Sequence, residues 1–156
     1  VAGNENAAPV LIAYDGSDFA KAAIAEAGNQ LAAGRRAIVL TVSEPLSGIP
    51  FFGAAGVPVE PETIEGLFDV AREGAQKVAE EGAGLAGEAG FEAEALVVIG
   101  APAWSQIVDA ADQQGADLIV IGSRGRSGIS HVLLGSVAAA VAQHSKRSVL
   151  IFHPRA

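Results

Sequence analysis

Short apolar runs alternate along this chain with amphipathic or alanine-rich stretches. Val10-Leu11-Ile12-Ala13-Tyr14 is continuous and apolar, the pattern of a strand buried on both faces, and Asp15-Gly16-Ser17 ends it. Asp18 to Ala33 is rich in alanine and predicts a helix, with Ser17 placed to cap its first turn and Gly34 to stop it. Ala37 to Val42 predicts a second buried strand. Ser43 to Pro61, with four prolines, three glycines and Phe51-Phe52, is too long for a plain connection. From Glu62 to Glu88, apolar residues recur at Ile64, Leu67, Phe68, Ala71, Ala75, Val78 and Ala79, while Glu65, Asp69, Arg72, Glu73, Gln76, Lys77 and Glu80 take the other face. That is an amphipathic surface helix. Gly82, Gly84 and Gly87 each cost it roughly 1 kcal/mol relative to alanine, so its C-terminal third is expected to fray. Glu92 to Ile99, Ala116 to Ile121 and Val149 to Phe152 complete the strands, and Ala103 to Gln114 is a further helix. The alternation predicts an α/β fold on a parallel sheet. Residues 1–156 are expected to form one domain, with 1–8 a flexible tail.

Composition narrows the function classes. Half of the 156 residues are hydrophobic and 18% are charged, as in a globular protein. No apolar run approaches the ~20 residues of a membrane span, and the first nine residues have no signal-peptide pattern, so the expected location is the cytoplasm, away from membranes. The chain has no cysteine, which excludes disulfides and thiolate metal sites. A net charge of −8 argues against nucleic acid as a partner. The few cations nevertheless gather: Arg124, Arg126 and His131 lie in or beside one glycine-rich stretch. Loop polarity is the plain account; a local positive field facing a polyphosphate is the sharper one.

That stretch is Gly122-Ser123-Arg124-Gly125, with Gly128 further on and Gly135-Ser136 after nine more residues from Gly125. It directly follows the strand-like Leu118-Ile119-Val120-Ile121. Glycine at a strand end allows a sharp turn and a ligand's close approach. Loop N–H groups can converge on an anion. Ser136 heads the helix former Val137 to Ala142, where it is expected to cap a helix N-terminus suited to phosphate. The spacing reads as a nucleotide-binding loop, and valine at Gly122 or Gly135 is expected to block binding while the fold survives. Asp15 ends another strand at the same sheet edge; it serves equally well as a turn-forming residue or as an acceptor for a base amino group, a ribose hydroxyl or a metal. The three histidines show no metal-ligand spacing, and Trp104 reads as a packing residue.

Gly100-Ala101-Pro102-Ala103, Ala116 through Gly125, Gly128, Leu133-Leu134-Gly135-Ser136-Val137 and Ser148-Val149-Leu150-Ile151 together resemble the ATP-binding branch of the universal stress protein family, whose G-x2-G-x9-G-[ST] signature the chain carries without a gap. The resemblance implies a Rossmann-like fold of the adenine nucleotide alpha hydrolase type, with a five-stranded parallel sheet in order 3-2-1-4-5. It further implies a homodimer formed through the last strand, and ATP, with Mg2+, as ligand. On it, Asp15 and Val42 would hold adenosine, with Ala13, Tyr14 and Ile121 beside it, while Gly122, Gly125, Gly135, Ser136 and Val137 would hold ribose and phosphates. Tyr14 is bulkier than usual for the family and is expected to narrow or restyle the adenine slot; Ser148 replaces a frequent proline.

A regulatory nucleotide-binding protein is thus the expected function. The alternatives are a slow ATPase or self-phosphorylating enzyme, a cyclic AMP-binding member of the family, or a module whose glycines serve only packing. Against catalysis, the chain has no G-x4-G-K-[ST] lysine, no Ser-Gly-Gly-x-Asp-Ser loop and no cysteine nucleophile. Arg124 and Arg126 stabilise charge but make poor bases. Ser123, Ser127 and Ser130 are candidates for phosphorylation by bound ATP.

Overall fold

β1 (Val10–Ala13), α1 (Asp18–Gln30), β2 (Arg36–Ser43), α2 (Pro61–Glu88), β3 (Glu92–Ile99), α3 (Ala103–Gln113), β4 (Leu118–Gly122), α4 (Ser136–His144) and β5 (Ser148–Phe152) follow one another in the computed structural model, which describes residues 7–44, 60–126 and 134–154. The strands form one five-stranded sheet in the order β3-β2-β1-β4-β5, and every pairing is parallel. Both the α/β class and the expected strand order hold.

Alternation along the central strands builds two cores. Val10 and Ile12 face α1 and α2, where they meet Ala20, Ala23, Ile24, Ala27 and Ala86. Leu11 and Ala13 face α3 and α4, where they meet Ile107, Ala110, Ala111, Ala138 and Val141. Val10, Leu11, Ile12, Val39, Ile119 and Val120 are fully buried. Each such side chain contributes about 1.5–3 kcal/mol by leaving water. A strand covered on both faces has no polar side to show, which explains the unbroken apolar runs.

Local chemistry sets most element ends. The Ser17 hydroxyl accepts from the Ala20 N–H at 3.2 Å and starts α1. The helix ends at Gln30, earlier than Ala33, because Leu31 turns extended; Gly34 makes the next turn at φ +77° and donates to the Gly90 carbonyl at 2.8 Å. Tyr14 lies just outside β1, although its N–H still donates to the Leu40 carbonyl at 2.8 Å. Of the expected tail, residues 1–6 lie outside the described residues; the Ala8 carbonyl accepts from Arg35, which also pairs with Asp117.

α2 departs most from expectation. Its C-terminal third remains helical, and that is where the helix is anchored: Ala75, Ala79, Gly82 and Ala86 are buried, and no residue before Ala75 is. Leu67 and Val70, in the first half, are 43% and 69% exposed. Gly82 is the reason. A Cβ there would lie 2.6 Å from Tyr14 Cδ1 and 2.8 Å from Val39 Cγ1, so its bare backbone lets α2 lie against the Tyr14 ring and β2. Packing outweighs the propensity cost. Gly84, by contrast, has nothing within 4 Å of such a Cβ.

Gly82→Ala should therefore destabilise the protein by about 1–3 kcal/mol through overpacking. Gly84→Ala should stabilise it, by up to about 1 kcal/mol. Urea midpoints at unchanged slope measure both, and equal shifts for the two variants would refute this account of Gly82.

Candidate functional site

β1 and β4 are neighbours whose following helices leave to opposite faces of the sheet, α1 to one core and α4 to the other. Their carboxyl ends thus open a crevice where the strand order reverses, the usual ligand position in such sheets. A cavity of about 240 Å³ lies there. The described residues assigned to a nucleotide from the sequence line it: Ala13 at the end of β1 with Tyr14 and Asp15 after it, Val42 in β2, Ile121, Gly122, Arg124, Gly125 and Arg126 from β4 onward, and Gly135, Ser136 and Val137 at the start of α4. Sequence reasoning missed Ala20, Leu40, Ala103, Ile107 and Ala138. These are apolar residues of regular elements, and nothing in sequence separates a cavity wall from solid core. Gly128, His131, Ser127 and Ser130 lie outside the described residues.

Asp15 makes the turn expected of it and also reaches across to the loop after β4. Its Oδ1 accepts from the Ser17 N–H at 3.0 Å, closing a turn in which Gly16 has φ +80°. Its Oδ2 accepts from the Arg126 N–H at 3.2 Å, and its carbonyl accepts from Arg126 Nε at 2.8 Å. The two strand-end loops are thereby joined into one rim. Gly125 belongs to this joint, since a Cβ there would come within 2.9 Å of Asp15 Oδ2.

The other motif glycines also serve contacts within the chain. A Cβ on Gly122 would lie 2.9 Å from the Phe19 carbonyl oxygen and 3.0 Å from its carbon, both backbone atoms of α1. One on Gly135 would lie 3.2 Å from the Ser123 carbonyl oxygen, to which Gly135 N–H donates at 2.6 Å. The expectation that the fold tolerates valine at Gly122 is thus corrected: the side chain would meet helix backbone. The expected cap moves by one residue as well. Gly135, with extended backbone, is the N-cap of α4 and its carbonyl accepts from Ala139, while Ser136 is the first helical residue. Ser123 is 1% exposed and its hydroxyl has no hydrogen-bond partner among the described residues, which removes it from reach as a phosphorylation candidate in this conformation.

The rim is cationic. Arg124 Cζ lies 5.6 Å from the centroid of the Phe19 ring, and its Nε is buried without a hydrogen-bond partner among the described residues. Among the described residues neither Arg124 nor Arg126 forms an ion pair, whereas Lys21, Arg35, Arg36 and Arg147 all do. Asp15 is the one carboxylate lining the cavity among the described residues.

Tyr14 does not narrow the cavity as expected. Its side chain belongs to the opposite core, where its hydroxyl donates to Glu81 Oε1 at 2.9 Å, and Lys21 Nζ lies 3.0 Å from the same oxygen. Burial raises the phenol's pKa well above the ordinary tyrosine value, and the Glu81 hydrogen bond and the charges of Glu81 and Asp15 raise it further. Glu81 is lowered in turn, chiefly by its hydrogen bond from Lys21 and then by that from Tyr14. Thr41 Oγ1 donates to the Tyr14 carbonyl at 2.8 Å. The residue before Asp15 is thus fixed through backbone and side chain. On the other face Trp104 packs as expected, stacked on His144 with centroids 4.4 Å apart, joining α3 to α4.

Gly122→Val is expected to lower unfolding stability by about 1–3 kcal/mol or more, with or without any ligand. Thermal melts of the purified variant test this; a wild-type melting temperature would restore the ligand-only account of Gly122.

The profile described as the universal stress protein family matches residues 7–153. Universal stress protein YxiE of Bacillus subtilis is 36% identical over 152 residues, covering 91% of this chain and 96% of its own. A universal stress protein of Thermus aquaticus is 37% identical over 147 residues, with coverage of 91% and 96%. Among solved structures, a universal stress protein in complex with cAMP superposes with a TM-score of 0.62 at 33% identity, covering 93% of this chain and 95% of that one. The chain therefore belongs to the universal stress protein family.

Proposed function

We propose that this protein binds ATP, carried with Mg2+, in the crevice between β1 and β4, and acts as a regulatory stress-response protein with little or no hydrolysis. The observation that carries the reading is the rim: two guanidinium groups without ion-pair partners among the described residues, on a chain of net charge −8, beside an apolar cavity. Unpaired cations at a cavity mouth favour an anion, and the apolar walls of Ala13, Leu40, Val42, Ile107 and Ile121 suit a flat base. The cavity is close to the lower end of small-ligand sites, roughly 300–1,000 Å³. In this reading the nucleoside fills it, and the phosphates run along Arg124, Arg126, Gly135 and Ser136. Asp15 holds the ribose or base with its remaining acceptor capacity. Both its oxygens already accept backbone N–H groups, which fixes the carboxylate's orientation for binding.

Cyclic AMP is the second reading, favoured by the 33% identical relative whose structure holds it. Calorimetry with ATP, AMP and cyclic AMP separates the two. ATP is expected to bind tightest, with turnover well below the ordinary enzyme range of ~1–1,000 per second. Tighter binding of cyclic AMP would select the second reading, and turnover in the enzyme range would overturn both.

We further propose a cytoplasmic homodimer paired through β5. No helix among the described residues is long and apolar enough to cross a membrane. β5 ends the sheet order, and its Val149, Leu150 and Ile151 are half-buried. An apolar edge strand is normally paired or covered. Val149 and Ile151 also pack on the core, so lysine at these positions would disturb the fold as well as the edge. Sedimentation of the unaltered protein should give twice the 15.7 kDa chain mass, and a monomer at high micromolar concentration would rule the dimer out.

A further inference from the structure

Phe19 is not among the cavity-lining residues, yet both of its parts bear on the rim. Its backbone lies against Gly122, where a Cβ would be 2.9 Å from its carbonyl oxygen. That approach brings the first turn of α1 to the end of β4, two residues before Arg124. The Phe19 ring then lies under the guanidinium, 5.6 Å from centroid to Cζ, within the ~6 Å reach of a cation–π contact. Arg124 lines the cavity. Its Nε is closed off without an acceptor, and no carboxylate pairs with it among the described residues.

The two rim arginines are held in different ways. Arg126 donates Nε to the Asp15 carbonyl, spending one of its N–H groups on the joint between the loops. Arg124 rests on a ring face, which orients the planar cation and uses none of its donors. A side chain as long as arginine loses much rotamer freedom when it docks on a ligand, and a ring that fixes it beforehand removes part of that loss. The charge is thus held in place, with its hydrogen-bonding capacity unspent.

We propose that Phe19 is a positioning residue that braces Arg124 for a nucleotide phosphate, and thereby sets the preference for phosphorylated over unphosphorylated adenine compounds. The inference rests on the nucleotide reading of the same cavity and names the residue that gives its rim phosphate selectivity. Leucine at position 19 keeps the apolar packing and removes the π face, whereas tyrosine keeps both.

The test uses the intact protein, with adenosine and AMP as probes in calorimetry. Wild type should bind AMP more tightly than adenosine. Phe19→Leu should shrink the AMP-to-adenosine affinity ratio by about threefold to tenfold, leave adenosine affinity unchanged and leave the thermal melt close to wild type. Phe19→Tyr should keep the wild-type ratio. Arg124→Gln should shrink the ratio at least as far, and Phe19→Leu added to it should do nothing more, since the ring acts only through the guanidinium. A wild-type ratio in Phe19→Leu, an equal loss of both ligands, or additive effects in the double variant would each overturn the brace. A wild type that binds AMP and adenosine equally would overturn it too, with the nucleotide reading intact; one that binds neither would overturn both.

Discussion

The closeness of α1 to the end of β4 is the constraint on which the rest of the crevice depends. A parallel sheet leaves a gap where its connections part to opposite faces, but the sheet alone does not give that gap walls. Here the walls come from backbone lying directly on backbone. Gly122 admits the first turn of α1, Gly135 admits the start of the loop after β4, and Gly125 admits the Asp15 carboxylate. A Cβ at Gly122 would force β4 away from the backbone of α1, one at Gly135 would displace the Ser123 carbonyl slightly, and one at Gly125 would displace the Asp15 carboxylate, in an interior packed too closely to absorb such shifts freely.

Asp15 and Tyr14 supply the polar half of the same design. Consecutive residues leaving β1 point to opposite faces, so Tyr14 secures α2 through Glu81 while Asp15 secures the loop after β4. Thr41 and Leu40 pin the backbone of this pair to β2. Four segments distant in sequence therefore meet on two residues. The Tyr14–Glu81–Lys21 cluster is half-exposed at its ionic end, so it contributes position more than stability.

Much of this was legible in the sequence. Apolar runs marked the central strands because both of their faces are covered, while β3 at the sheet edge opens on the alternating Glu92-Ala93-Glu94-Ala95, and the turn at Asp15-Gly16-Ser17 announced the cap that Ser17 makes. The described residues named for the crevice line it, since strand-end glycines and the rim cations share one stretch of chain. What the sequence hid was the purpose of the glycines. A missing Cβ looks the same whether it makes room for a ligand, as expected of Gly122, or for Phe19, which uses that room. The same ambiguity turned Gly82 from an apparent weak point into an anchor. Leu40, Ile107 and Ala138 were illegible for another reason: cavity walls and filled core use the same residues. Tyr14 was misjudged because its bulk was assigned to the crevice face, while the strand's alternation sends its ring to the other.

The uneven anchoring of α2 divides one continuous helix into two mechanical parts. From Ala75 onward it shares the fate of the sheet, and its amides can open only when the core opens. From Pro61 to Gly74 no residue is buried, and the backbone is held by little besides its own helical hydrogen bonds. Isolated helices of that length are marginal in water. Amide protons in the first half should therefore exchange through local fraying at low free energy, and those in the second through global unfolding. The boundary between these two cooperative units falls inside a single element, about two turns before the glycine that locks it.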